Sequence, residues 1–68
     1  MRQVILYRGE DGCCVVECPS LPGCTSQGKT RDEAIRNIVD AIRLYVSALE
    51  DDNLSVPAET SEVEIIRV

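Results

Sequence analysis

The chain has 68 residues, a formal net charge of −5 and no histidine. A chain this short forms one domain that buries only about 60% of its unfolded surface, so it commonly needs a disulfide, a metal or self-association for stability. The acidic balance disfavours a duplex nucleic acid as a partner and favours a basic protein. Without histidine there is no side chain that ordinarily serves as a general base near pH 7, and we expect no enzymatic activity.

Neither a membrane span nor a signal peptide is predicted. No apolar run approaches the roughly 18 residues that a span requires. Arg8, Glu10 and Asp11 interrupt the short apolar run at the N-terminus, which also lacks a small-residue cleavage site. We therefore expect a cytoplasmic protein that does not contact membranes, with its thiols reduced.

The first half of the chain predicts a β-hairpin. The β-branched and aromatic run Gln3–Arg8 predicts a strand, and Gly9–Gly12 is a polar turn with glycine at both ends. The returning strand is Cys13–Cys18, in which side chains alternate between the two faces of the sheet. Both strands carry apolar residues on both faces.

A Pro-Gly turn and a short strand follow the hairpin. Pro22-Gly23 suits the centre of a type II turn, because proline fixes φ at the first central position and glycine accepts a positive φ at the second. Cys24–Gln27 is predicted as the third strand, and Gly28 is expected to break it.

One long helix is predicted after that strand. Thr30 and Glu33 have the spacing of a capping box, so the helix is expected to run from about Arg31 to Glu50. Apolar residues recur at spacings of three and four and form one wide face, and they are Ile35, Ile38, Ile42, Tyr45 and Leu49. Leu44 is the exception, because it falls on the polar side.

The chain is expected to end in a strand, Glu62–Val68, after a connector over Leu54–Ser61 that contains Pro57. The order is β-β-β-α-β, which defines a small α+β domain over residues 1–68. One helix covers one face of a sheet, so the other apolar face predicts a homodimer or higher oligomer. The candidate partner or oligomer contacts are Ile5, Tyr7, Leu44, Ile66 and Val68.

The four cysteines have the pattern C-C-x3-C-x5-C, at positions 13, 14, 18 and 24. Structural zinc sites favour pairs separated by two to four residues that face a common point. Cys13 and Cys14 are adjacent on a predicted strand, so their side chains diverge, and we expect buried thiols that pack as small hydrophobes. No metal and no cofactor is predicted. A thiol or metal module stays open as an alternative function, as does a nucleic-acid-binding module.

Residues 23–30 read G-C-T-S-Q-G-K-T and match the phosphate-loop pattern G-x4-G-K-T literally. A phosphate loop follows a buried parallel strand within a much larger α/β domain. Pro19 and Pro22 lie just before these residues, and 68 residues leave no room for such a domain. We interpret the match as a coincidence.

Taken as a unit, the stretch P-S-L-P-G-C-T-S-Q-G-K-T-R-D-E-A resembles the signature of the HicB-like antitoxin family. The residues that carry the resemblance are Pro19, Leu21, Pro22, Gly23, Cys24, Gln27, Gly28, Thr30, Glu33 and Ala34. The preceding hairpin and the helix after it fit as well, so the resemblance covers nearly the whole chain. Because several of these residues have roles in the backbone conformation, we expect the motif to be structural rather than a contact site.

The resemblance implies a partly degraded ribonuclease-H-like fold with no catalytic activity. It also implies a partner, a small basic HicA-like ribonuclease toxin, whose RNA-binding surface and catalytic histidine the antitoxin masks. Many members carry a C-terminal DNA-binding segment. This chain ends at Val68, directly after the predicted last strand, so we expect no such segment and consider DNA an improbable partner.

Overall fold

The computed structural model describes residues 2–59 and Ile66. Three strands, β1 (Ile5–Arg8), β2 (Cys14–Glu17) and β3 (Thr25–Gly28), form an antiparallel sheet in the order β1-β2-β3. One helix, α1, follows over Arg31–Asp51. The α+β class and the order of three strands before one helix are confirmed. The predicted final strand lies outside the described residues, apart from Ile66.

The β1–β2 hairpin closes through the predicted glycine turn. The Gly12 N–H donates to the Gly9 carbonyl over 3.0 Å, and the Gly9 N–H donates to the Cys13 carbonyl over 2.7 Å. Gly12 has a φ of 86°, which a residue with a side chain rarely adopts. The resulting register places Leu6 opposite Val16.

Two consecutive turns connect β2 to β3. The Leu21 N–H donates to the Cys18 carbonyl, and the Cys24 N–H donates to the Leu21 carbonyl. Gly23 has a φ of 79°, as the predicted type II turn requires at its second central position. The Cys18 N–H then donates to the Cys24 carbonyl over 2.9 Å. This bond continues the β2–β3 ladder and closes the loop at its base.

The third strand is shifted by one residue from the prediction, Thr25–Gly28 instead of Cys24–Gln27, so Gly28 lies within the strand and ends it. Gly28 is the last residue of β3 and lies opposite Cys14. It is buried because the start of α1 packs directly on it: a Cβ placed on Gly28 would lie 2.5 Å from the Ala34 nitrogen. The glycine therefore allows strand and helix to approach closely.

The helix begins where the capping pattern predicts. Thr30 is the N-cap, with an extended backbone, and its hydroxyl oxygen accepts a hydrogen bond from the Glu33 N–H over 3.1 Å. The reciprocal bond, from the Thr30 N–H to the Glu33 carboxylate, is absent among the described residues, so half of the capping box forms. Asp32 and Glu33 lie in the first turn, where negative charge interacts favourably with the helix dipole.

Replacing Thr30 with alanine is expected to lower the free energy of unfolding by about 1 kcal/mol, because the Glu33 N–H loses its only side-chain acceptor. Urea denaturation followed by circular dichroism measures this loss. Ser47→Ala is the matched control, since Ser47 is an exposed mid-helix residue and alanine is the better helix former. A Thr30→Ala variant as stable as Ser47→Ala would show that the cap contributes nothing.

The C-terminus of α1 forms a Schellman motif. The Leu54 N–H donates to the Leu49 carbonyl over 2.8 Å, and the Asn53 N–H donates to the Glu50 carbonyl over 3.1 Å. Asn53 has a φ of 56°, the left-handed conformation that this motif requires. The helix therefore ends at Asp51, one residue later than predicted. Its last turn contains no basic residue, so these backbone bonds, and not a favourable charge, terminate it.

The core lies between one face of the sheet and α1. Its buried hydrophobic members are Cys14, Val16, Cys18, Leu21, Cys24, Ala34 and Ile38. The helix packs against β3 and β2 but not against β1. Leu6 lies on the same sheet face as Val16, because the two residues are directly opposite, yet it stays 39% exposed. The helix therefore covers β2 and β3 but does not pack on β1.

Candidate functional site

The signature residues gather around the turn and the helix start. Leu21 and Cys24 belong to the core, and Gly28 is buried beneath the first turn of α1. The Tyr45 hydroxyl donates to the Pro22 carbonyl over 2.8 Å, which ties the helix to the Pro-Gly turn. Pro19, Pro22, Gly23 and Thr30 are exposed, and Glu33 is half-buried. The motif thus sets the backbone conformation of the turn and contributes to the core, while half of its ten residues, the four exposed ones above and Gln27, stay exposed.

Residues 23–30, which match the phosphate-loop pattern, do not adopt the conformation of a phosphate loop. Within it, Thr25–Gly28 is the strand β3, which pairs with β2. A phosphate loop needs consecutive free N–H groups that point at the ligand, whereas here the segment is divided between a turn, a strand ladder and a helix cap.

The cysteines lie on both faces of the sheet. Cys14, Cys18 and Cys24 are buried in the core, and Cys13 is half-buried on the other face; all four are free thiols. Burial raises the pKa of the Cys24 thiol, and the neighbouring Cys18 raises it further. Within residues 2–59 and at Ile66, no three His, Cys, Asp or Glu side chains are arranged to hold a metal ion. A buried thiol with a raised pKa, such as that of Cys24, suits packing better than redox chemistry.

An apolar groove of about 430 Å³ lies between α1 and the residue that precedes β1. Val4, which directly precedes β1, lines one side of the groove, and Ile35, Val39 and Ile42 of α1 line the other side. Arg2 and Arg43 also line it. The groove follows from the position of α1, which packs against β3 and β2 but not against β1.

The candidate contact residues fall on different surfaces. Ile5 and Tyr7 lie on the sheet face away from the helix, since they alternate with Leu6; Ile5 is half-buried and Tyr7 is 45% exposed. Leu44 lies on α1 and is 72% exposed. Ile66 is equally exposed, and Val68 lies outside the described residues. The structure therefore does not join Ile5 and Tyr7 with Leu44 into one site.

The exposed charge of the described residues is largely unpaired. The one ion pair in this part of the chain joins Arg31 to Asp32 over 3.6 Å, with both side chains exposed. In the β1–β2 turn, the Cys13 N–H donates to the Asp11 carboxylate over 3.0 Å, and this bond lowers the pKa of Asp11. Among the other exposed acids, Asp40 and Asp51 have no ion-pair partner in the described part of the chain.

Sequence reasoning missed a set of hydrogen bonds that join the two ends of the described chain. Arg2 donates to the Ser20 hydroxyl over 2.9 Å and to the Pro57 carbonyl over 2.7 Å. The Gln3 N–H donates to the Glu59 carboxylate over 3.0 Å. No periodicity or motif signals these bonds, because they connect residues that are 18, 55 and 56 positions apart.

Comparison with known proteins identifies relatives of similar length. UPF0150 protein Ta0767 of Thermoplasma acidophilum is 48% identical over 59 residues, which cover 87% of this chain and 86% of that protein. UPF0150 protein ssr1765 of Synechocystis is 46% identical over 56 residues, 82% of this chain and 71% of that protein. No solved structure matches the chain. In the described part of the chain, no helix has the length and apolar character needed to cross a bilayer.

The family model for the HicB-like antitoxin of bacterial toxin–antitoxin systems matches residues 3–67. The match includes the hairpin, the Pro-Gly turn, β3 and all of α1. By this match and by its relatives, the chain belongs to the HicB-like antitoxin family.

Proposed function

We propose that this protein is a non-catalytic antitoxin that binds a small basic HicA-like ribonuclease toxin and masks its RNA-binding surface and catalytic histidine. The single observation that carries the proposal is the family match over residues 3–67. The net charge of −5 supports it, because opposite charges accelerate and orient docking. The partner class is therefore a basic protein, and the complex forms in the cytoplasm.

The protein also self-associates, as a homodimer or a higher oligomer. Ile5, which is half-buried, and Tyr7, which is 45% exposed, lie on the sheet face away from α1 and support this part of the proposal, because apolar surface that faces water favours association. In this view the oligomer uses the sheet face, and the toxin uses an acidic surface elsewhere.

The direct test measures ribonuclease activity. The short basic protein encoded by the neighbouring reading frame is purified and allowed to cleave RNA while this chain is added in increasing amounts. We expect cleavage to fall to background near equimolar concentration, since a masked RNA-binding surface cannot hold substrate. Co-expression is expected to restore growth of cells that produce the toxin.

An unrelated acidic protein of similar size and net charge is the control for simple electrostatic trapping of the toxin. Its addition is expected to leave cleavage unchanged at moderate salt, because screening weakens non-specific attraction between exposed charges. Full ribonuclease activity at a tenfold molar excess of this chain would contradict the proposed function.

A further inference from the structure

Leu44 is the most exposed large apolar side chain of α1. Leu44 is 72% exposed, whereas Val4, Leu6 and Val39 are 38%, 39% and 40% exposed. Val4 and Val39 line the groove beside β1, and Leu44 does not. A lone exposed leucine is ordinary on a protein surface, so its surroundings decide whether it has a role.

Those surroundings are acidic. Residues spaced alternately by four and three positions follow one line along a helix, and the line through Leu44 consists of Glu33, Asn37, Asp40, Leu44, Ser47 and Asp51. We call this line the Leu44 stripe. It contains three acids and no base, and all of its members except the half-buried Glu33 are exposed.

The acids of the stripe have no cationic partner within the described residues. Arg36 and Arg43 have the spacing to pair with Asp40 on the helix, but the one ion pair of the described chain is Arg31 with Asp32. Asp40 and Asp51 therefore direct their negative charge outward, on either side of Leu44. An isolated leucine between unpaired carboxylates offers a partner both an apolar anchor and a defined charge pattern.

This charge pattern selects among the possible occupants. A second copy of the chain, docked symmetrically, would bring the same acids face to face, and like charges across an interface are unfavourable. A nucleic acid would be repelled for the same reason. A basic protein with an apolar pocket among its cations fits the stripe.

We propose that the Leu44 stripe is the surface on which the basic toxin docks, with Leu44 inserted into an apolar pocket and Asp40 and Asp51 paired with surrounding cations. This inference rests on the proposed function and adds to it the location of the interface. The sheet face with Ile5 and Tyr7 stays free for self-association.

The test is the affinity of Leu44→Ala for the purified neighbouring-frame toxin, with its catalytic histidine replaced so that it can be produced alone. Full burial of a leucine corresponds to a change in Kd of roughly tenfold to a hundredfold, so we expect at least a tenfold weaker complex. Leu54→Ala is the matched control: it removes the same side chain, which is 57% exposed and lies beyond the helix, and it is expected to bind like the wild type.

A second variant tests the charges separately. In Asp40→Asn/Asp51→Asn we expect a several-fold slower association and a weaker dependence of that rate on salt, because steering charges act mainly on the on-rate. Circular dichroism of each variant is expected to match the wild type, since all three side chains are exposed.

The possible outcomes distinguish the two proposals. If the wild-type protein does not bind or inhibit the toxin, the proposed function fails and the docking surface with it. If the wild type binds and Leu44→Ala binds equally well, the antitoxin function stands and the docking surface is wrong.

Discussion

Replacing Gly28 with alanine is expected to remove a large part of the stability of the protein. The added Cβ would lie 2.5 Å from the nitrogen of Ala34, 2.9 Å from the carbonyl carbon of Glu33 and 3.0 Å from the Ala34 Cα. All three atoms are backbone, so they cannot turn aside as a side chain would. Relief of the clash requires α1 to move away from β3, which would open the core over Ala34 and Ile38.

The expected loss for Gly28→Ala is about 3 kcal/mol or more, the upper range for overpacking. A domain of this length has a total stability of only about 3–10 kcal/mol. Urea denaturation of the variant measures the loss directly. Gly12→Ala is the control: a Cβ there meets nothing within 4 Å, and only its φ of 86° is unfavourable, which costs about 1–2 kcal/mol. A Gly28→Ala variant more stable than Gly12→Ala would refute the close-approach explanation.

Replacing Leu21 with alanine is the second change with a large expected effect. Leu21 is 0% exposed although it lies in the loop between β2 and β3, next to Pro22 in the sequence. Truncation removes buried methyl groups and leaves a cavity among core residues such as Val16 and Ile38. We expect the free energy of unfolding to fall by about 2–5 kcal/mol.

Leu44→Ala provides the comparison for Leu21→Ala, because it deletes the same atoms from a side chain that is 72% exposed. We expect a change within about 0.5 kcal/mol, as for most surface substitutions. Thermal unfolding of the two variants under the same conditions measures the difference. Equal losses in the two variants would mean that the Pro-Gly loop does not contribute to the core.

Much of this fold follows from local rules in the sequence. Thr30 with Glu33 predicts the start of α1, Pro22-Gly23 predicts the turn, and alternation along the second strand predicts that Cys14, Val16 and Cys18 share a face, which the core confirms. Each of these features depends on residues within a few positions of one another. The periodicity of α1 also predicts that Leu44 points away from the core, and its exposure agrees.

Features that depend on distant contacts could not be predicted in this way. Glycine lowers the propensity for a strand and therefore places Gly28 outside β3 in the prediction, whereas only the proximity of Ala34 explains why a glycine occupies the last position of that strand. Periodicity shows which face of a helix is buried but not which strands the helix lies on. It therefore does not predict that α1 packs against β3 and β2 and not against β1. The toxin as partner came from the family signature, since charge alone indicates no more than a basic molecule.

The hydrogen bonds of Arg2 have a consequence for the order in which the protein assembles. The β1–β2–β3 meander joins neighbouring strands, and α1 forms from local hydrogen bonds, so both can develop while later residues are still being synthesised. The bond from Arg2 to the Pro57 carbonyl spans 55 positions and requires nearly the whole chain. This bond therefore forms late, after release of residue 57 from the ribosome, and a truncation before that residue would leave Arg2 with its bond to Ser20 but without its bond to Pro57.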